Sequence, residues 1–362
     1  MSRKSLKWLP ALVVPAVIAV AVVSVPLQAG AAVDLPDKSA DEVLLLIGES
    51  TEDSFSGTVE KTAELGLPTL PGGMDSVAPD SEAGIVGSAI ELLSGTQEAR
   101  VFANGPMNLR VEVKDTLASR TAVTNGAEAW YYDSETDVAT HVTIPADATD
   151  AIRDKLEDSA DLPTPAQVAD RILDELGPST DFAVGTDAKV AGRTVYELVL
   201  TPKASGTLAE SVSISVDSET GLPLQVSVGA TGQDAAAFQI GFTSIDLQAP
   251  AAELFEYVPA PGVTVDEQQL PSGGGIPMRH GAEPQTDSPV VTGTGWDAIV
   301  EVPAASVSTE LSANPLFEQL TTQVDGGRLF STALVNVLLT NDGRMLAGSV
   351  PADRLLAAAD AG

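Results

Sequence analysis

Asn108-Leu109-Arg110-Val111-Glu112-Val113-Lys114 alternates apolar and polar side chains without a break. Period-2 alternation puts residues 109, 111 and 113 on one face of an extended chain and their neighbours on the other, which is the mark of a strand buried on one side. The pattern returns in Ser211-Val212-Ser213-Ile214-Ser215-Val216-Asp217 and, directly after it, in Gly221-Leu222-Pro223-Leu224-Gln225-Val226-Ser227-Val228. Outward from these, strands are expected over residues 55–65, 98–102, 120–123, 127–132, 139–144, 181–188, 193–202, 237–247 and 255–258. Asn104-Gly105 and Asn125-Gly126 have the composition of hairpin turns, so the strands read as antiparallel meanders. Asp217-Ser218-Glu219-Thr220-Gly221 is a further hairpin turn and not a calcium loop, because its carboxylates lack the alternating oxygen spacing and the distal Glu of such a loop.

Two helices interrupt the strands. Ser39-Ala40-Asp41-Glu42 has the form of a capping box, which predicts a helix from Ala40 to about Gly48. Thr164-Pro165-Ala166-Gln167 starts a second, with Gly177 as terminator and Val168, Ile172, Leu173 and Leu176 on one face. Residues 66–97 are rich in Pro, Gly and Ser and read as an insertion with a short helix near 85–93. Residues 269–290, centred on Ser272-Gly273-Gly274-Gly275, read as a linker between a main domain at 40–268 and a small C-terminal α/β module at 291–362. In that module a strand is expected over 296–302, a helix over 315–324, an apolar strand over 329–339, a strand over 344–350 and a helix over 352–359. About seventy residues form a marginal core, so the module should pack on the main domain.

The N-terminus sets the compartment. Arg3, Lys4 and Lys7 precede an apolar run over residues 9–27, and Ala29-Gly30-Ala31 supplies a small-x-small cleavage pattern. Residues 1–31 thus read as a signal peptide, or as an uncleaved signal anchor. Pro10, Pro15 and Pro26 weaken the anchor reading. The chain is expected at the extracytoplasmic face of the cytoplasmic membrane or in a periplasm-like space. It has no cysteine, hence no disulfide, thiolate metal site or cysteine nucleophile. The formal net charge is −32, and three units more negative without residues 1–31. That balance argues against nucleic acid as a partner and disfavours adhesion to anionic lipid headgroups.

Several short motifs occur in a telling order: Phe55-Ser56-Gly57 in the first long strand, Asn125-Gly126 with Trp130-Tyr131-Tyr132, and Phe255-Glu256-Tyr257-Val258-Pro259 with Pro261-Gly262-Val263. The order resembles the LolA-like superfamily of lipoprotein carriers and RseB-like envelope proteins over residues 40–268. Val190-Ala191-Gly192-Arg193-Thr194-Val195-Tyr196-Glu197-Leu198 resembles more narrowly the LolA-like exported proteins of actinobacteria. The resemblance implies an α+β fold: a large, curved, half-open antiparallel sheet wrapped around helices, with residues 255–258 as its closing strand. It also implies a non-catalytic protein that shelters the acyl chain of a lipid or lipoprotein in its concavity. An RseB-like sensor with a membrane-bound protein partner is the alternative, and a ligand-free structural protein a third.

Independently of any family, an open curved sheet leaves its concave apolar face exposed unless helices or a ligand cover it. Each CH₂ sheltered there contributes about 0.8 kcal/mol, on the order of 10 kcal/mol for a sixteen-carbon chain before ordering costs. The expected lining is Val59, Val111, Val113, Leu198, Leu200, Ile214, Leu224, Val226 and Phe242, with Trp130 and Tyr132 as an aromatic rim. Residues 66–97 or the C-terminal module are expected to gate it. No catalytic, metal-binding or cofactor motif is found: there is no G-x-S-x-G elbow, phosphate loop or HExxH helix. His141 reads as a surface strand residue and His280 as part of the linker. The chain is expected to act as a monomer.

Overall fold

In the computed structural model the described residues are 35–67, 94–114, 118–145, 173–174, 176–269, 289–307 and 315–361. The signal segment, most of the 66–97 insertion, most of the helix expected to end at Gly177 and the linker with His280 lie outside them. Of that helix, Leu173, Asp174 and Leu176 are described, and the Gly177 N–H closes its last turn on the Leu173 carbonyl at 2.8 Å.

The alternating segments form one thirteen-stranded sheet. Its strands are β1 (Ser54–Ala63), β2 (Gly95–Asn104), β3 (Asn108–Lys114), β4 (Ser119–Thr124), β5 (Glu128–Asp133), β6 (Val138–Thr143), β7 (Thr180–Val184), β8 (Ala188–Val190), β9 (Arg193–Pro202), β10 (Ala209–Asp217), β11 (Pro223–Ala230), β12 (Ala236–Asp246) and β13 (Thr264–Gln269). They lie in the order β13-β6-β5-β4-β3-β2-β1-β12-β11-β10-β9-β7, with β8 also on β9. Both meanders meet at β1, which pairs with β2 on one side and β12 on the other. The sheet is open, and it is strongly curved. β8 touches β12 although β9, β10 and β11 lie between them, a separation of roughly 19 Å in a flat sheet. Val190 and Val195 accordingly pack with Leu224 and Phe242.

Local chemistry explains the turns. At Asn125-Gly126 the Asn125 Oδ1 accepts the N–H groups of Ala127 and Glu128, both at 3.1 Å, while Gly126 takes φ +84. Helix α1 (Ala40–Gly48) has its capping box: Ser39 Oγ accepts the Glu42 N–H at 3.3 Å and the Glu42 carboxylate accepts the Ser39 N–H at 2.7 Å. Val43 and Leu44 of α1 are buried with Leu198, Leu200, Val212, Val228 and Phe238. The core therefore sits between α1 and one face of the sheet.

Two expectations about the end of the first sheet are corrected. Residues 255–258 are not a strand: Ala252–Phe255 is a 3₁₀ turn with Phe255 buried, and the last strand is β13. Pro250, Pro259 and Pro261 surround the expected strand and cannot donate to a ladder. The sheet is also not wholly antiparallel, because β13 pairs with β6 in parallel. The chain leaves β12 and crosses the sheet to its far edge, a long connection of the kind parallel pairing requires.

The C-terminal residues form a six-stranded sheet in the order β14-β15-β19-β18-β17-β16. Its elements are β14 (Val290–Thr292), β15 (Ile299–Val302), α2 (Pro315–Leu320), β16 (Thr321–Val324), β17 (Gly327–Ser331), β18 (Asn336–Thr340), β19 (Met345–Gly348) and α3 (Ala352–Ala361). The expected strand over 329–339 is in fact the hairpin β17–β18, and the expected helix over 315–324 ends at Leu320 and continues as β16. Ile299, Leu329, Leu338, Leu346, Val350 and Leu355 form a separate core under α3. The module packs on the first sheet as expected. Trp296 and Leu334 join the main core, Trp296 Nε1 donates to Thr180 Oγ1 at 2.8 Å, and the Ser349 carbonyl accepts the Leu208 N–H at 2.9 Å.

The hairpin turn after β10 ties α1 to the sheet. Asp217, 1% exposed, takes both Nε and Nη2 of Arg193 and accepts the N–H groups of Glu219 at 3.0 Å and Thr220 at 2.9 Å. Burial pushes its carboxyl up, yet the Arg193 and Thr220 hydrogen bonds outweigh burial and hold it below the usual aspartate range. A carboxyl so depressed confers stability that is complete above the unfolded value near 3.9 and is lost as pH falls through the lower folded value. Asp217→Asn is expected to lower the unfolding free energy by about 2 kcal/mol at pH 7, with the deficit shrinking as pH falls below about 4, as measured by denaturant melts across pH. Gly221 closes the same turn at φ +76, and a Cβ there would stand 2.0 Å from the Leu46 carbonyl oxygen of α1. Gly221→Ala is expected to destabilise by at least about 2 kcal/mol in the same melts.

Candidate functional site

Cross-strand register decides which side chains share a face. Leu198 faces Ile214, Ile214 faces Val226, Val226 faces Ile240, Phe242 faces Val59, Val59 faces Ala99, Ala99 faces Val113, and Val111 lies between Val101 and Ala122. Leu200, which faces Val212, falls in the same alternation. The register thus brings eight of the nine expected lining residues to one face, the one that carries α1; Leu224 stands at the β10–β11 irregularity and packs with Val190 and Val195 instead.

That face has two unlike halves. From β7 to β12 it is filled: Leu198, Leu200, Val212 and Val228 are buried beneath α1, Leu65, Trp296 and Leu334, with Ile214 and Val226 packed against them. Leu224 and Phe242 belong to the satellite cluster with Val190 and Val195. From β2 to β5 the described residues leave it partly open. Val101, Val111 and Val113 are half-buried, Leu109 is 44% exposed and Tyr131 46% exposed. Tyr131 pairs with Ala122, which pairs with Val111, so its ring stands over this apolar strip. Between the halves, in β1, Lys61 is buried and donates its Nζ to the Ser94 carbonyl at 2.9 Å.

Trp130 and Tyr132 stand on the opposite face. Trp130 pairs with Val123, which pairs with Arg110, and both aromatic rings lie against Tyr257, at centroid distances of 5.3 and 6.0 Å. Arg110 Nη1 donates to the Leu254 carbonyl at 3.1 Å. The crossing segment therefore roofs this outer face with Leu254, Phe255 and Tyr257, and Val123 and Ala139 are buried beneath it. His141, expected as a surface strand residue, is half-buried and engaged on three sides. Its ring stacks on Trp130 at 4.0 Å and its two nitrogens lie 2.9 Å from Glu128 and 2.7 Å from Glu267, so it ties β5, β6 and β13 together. Strand alternation alone could not reveal this, because Glu267 arrives from the parallel closing strand. A polar cleft of about 230 Å³ lined by Ser56, Thr58, Arg100, Phe102 and Asp246 lies at the β1–β12 bulge, apart from the apolar strip.

Sequence reasoning missed Tyr131, Leu65, Trp296 and Leu334 as parts of this face. Tyr131 was legible from its parity with Val111 and Val113 once the Asn125-Gly126 hairpin is placed. Leu334 was hidden inside a stretch read as one strand, and only Ser331-Thr332 hinted at a break. Among the described residues no helix is long and apolar enough to cross a membrane.

No protein-family model matches the chain, and no curated protein does. Solved structures do resemble it. The Pseudomonas aeruginosa MucA/MucB complex is 17% identical with a TM-score of 0.41, over 88% of this chain and 96% of that one. An uncharacterized conserved protein from Thermus thermophilus is 12% identical with a TM-score of 0.34, over 63% of this chain and 99% of that one. A LolA superfamily protein from Nitrosomonas europaea is 11% identical with a TM-score of 0.23, over 61% of this chain and 99% of that one. At these values the likeness does not extend to what the chain binds.

Proposed function

We propose that this chain is a non-catalytic, exported envelope protein that shelters an acyl chain of a lipid or lipoprotein. The observation that supports the reading is the apolar strip of Leu109, Val111, Val113, Val101 and Tyr131. It continues the face of the packed core, yet its described neighbours leave it partly exposed. Apolar surface of this kind on a concave face is what a hydrocarbon chain covers with favourable free energy, at about 0.8 kcal/mol per CH₂. The buried residues Leu198, Leu200 and Val228 then form the wall of the site and not its contact surface.

Native mass spectrometry of the protein purified from its own host, followed by organic extraction, is expected to find a stoichiometric acylated species. A protein that comes out empty and also fails to take up oleate sinks the reading and favours a protein partner. Val111→Asp and Tyr131→Ser are expected to weaken oleate binding, Val111→Asp by more than about tenfold, because the new carboxylate must be desolvated against the chain. Thr121→Asp, on the outer face, is expected to leave it unchanged. Equal affinity of Val111→Asp and the parent protein in a fluorescence titration contradicts the placement of the site.

A further inference from the structure

The β17–β18 turn belongs to one module by chain and to the other by packing. Leu334, at its tip, is 1% exposed and sits in the cluster of Val43, Leu65, Leu198, Phe238 and Trp296, while Leu329 and Leu338 on either side of it pack in the C-terminal module's own core. The tip is closed on itself. Thr332 Oγ1 accepts the N–H groups of Leu334 at 3.2 Å and Val335 at 2.9 Å and donates to the Val335 carbonyl at 2.8 Å, and the Thr332 N–H reaches the same carbonyl at 3.0 Å. Among the described residues a single backbone bond fastens the tip to the main domain, from the Ala333 N–H to the Leu65 carbonyl at 2.9 Å.

We propose that this turn is a plug that gates the acyl site, with Leu334 occupying apolar volume that an incoming chain must claim. The proposal rests on the acyl-binding reading and adds the element that controls entry. Three observations carry it. Leu65 closely follows β1, the strand where the filled half of the inner face meets the open half, so a chain lying on Val111 and Val113 that extends past β1 meets Leu334. The tip satisfies its own N–H groups apart from that of Ala333, so withdrawal leaves few buried donors unpaired. The cluster under α3 does not include Leu334, so withdrawal leaves that core whole. Lowest-cost openings of this sort are expected where a small unit is joined by few bonds.

The chain has no cysteine, so single thiols can be read cleanly. Leu334→Cys is expected to react with a maleimide in the full-length folded protein at least about tenfold faster than Leu198→Cys and Leu338→Cys, which report opening of the two cores. Saturating oleate is expected to change the Leu334→Cys rate severalfold and to leave the other two unchanged. Equal rates at all three sites overturn the plug while leaving acyl binding untouched. Oleate that binds without altering the Leu334→Cys rate overturns the gate, and a chain that binds no oleate overturns the acyl reading and the gate with it. A second pair of variants guards against misfolding at position 334: Leu65→Cys with Ala333→Cys places a disulfide across the bond that holds the tip. The oxidised protein is expected to take up oleate at least about tenfold more slowly than the reduced protein; equal uptake rates overturn the gate.

Discussion

Everything in this molecule depends on one apolar sheet face that has to be kept from water. Because side chains alternate along each strand, the register that runs from Leu198 through Ile214, Val226, Ile240, Lys61 and Val59 to Val113 sends a whole row of residues to the same side. A slip of one residue anywhere would turn the row outward. The cost of exposing such a face is what recruits α1, the last turn before Gly177, Trp296 and Leu334 onto it. These covers account for the half between β7 and β12, and among the described residues the strip between β2 and β5 is only partly covered.

The polar groups serve that arrangement. The Asp217 carboxylate gathers Arg193 from β9 and the N–H groups of its own turn, and the turn in turn presses Gly221 against the end of α1. A buried charge is tolerable there because each of its oxygens has a donor. On the outer face His141, Trp130 and Tyr257 do comparable work. They hold a crossing segment that would otherwise be a proline-rich loop, and they place β13 at the far edge of the sheet. Among the described residues the outer face of β3 to β6 is covered by this one strap, while the inner face is covered by parts from distant stretches of the chain.

The two modules are joined by packing as much as by chain. A C-terminal sheet with its own core lends Trp296 and Leu334 to the main core and shares backbone bonds with it through Leu208 and Ala333. Lending one hairpin tip to another core couples the two folds without merging them.

The amino-acid sequence by itself determined the strands of the two meanders, most of their faces and several of their turns, because alternation, Asn-Gly pairs and a capping box act over a few residues. It placed Val59, Val111, Val113, Leu198 and Phe242 on one face for the same reason. Tertiary structure alone decided which of them are covered, because coverage is set by elements far away in the chain: α1 over Leu198, Leu334 beside Leu65. It also put Trp130 and Tyr132 on the roofed outer face and left Tyr131 on the inner one, and it turned the expected closing strand into a strap with β13 beyond it. Those outcomes depend on which distant segments meet, and local pattern carries no information about that.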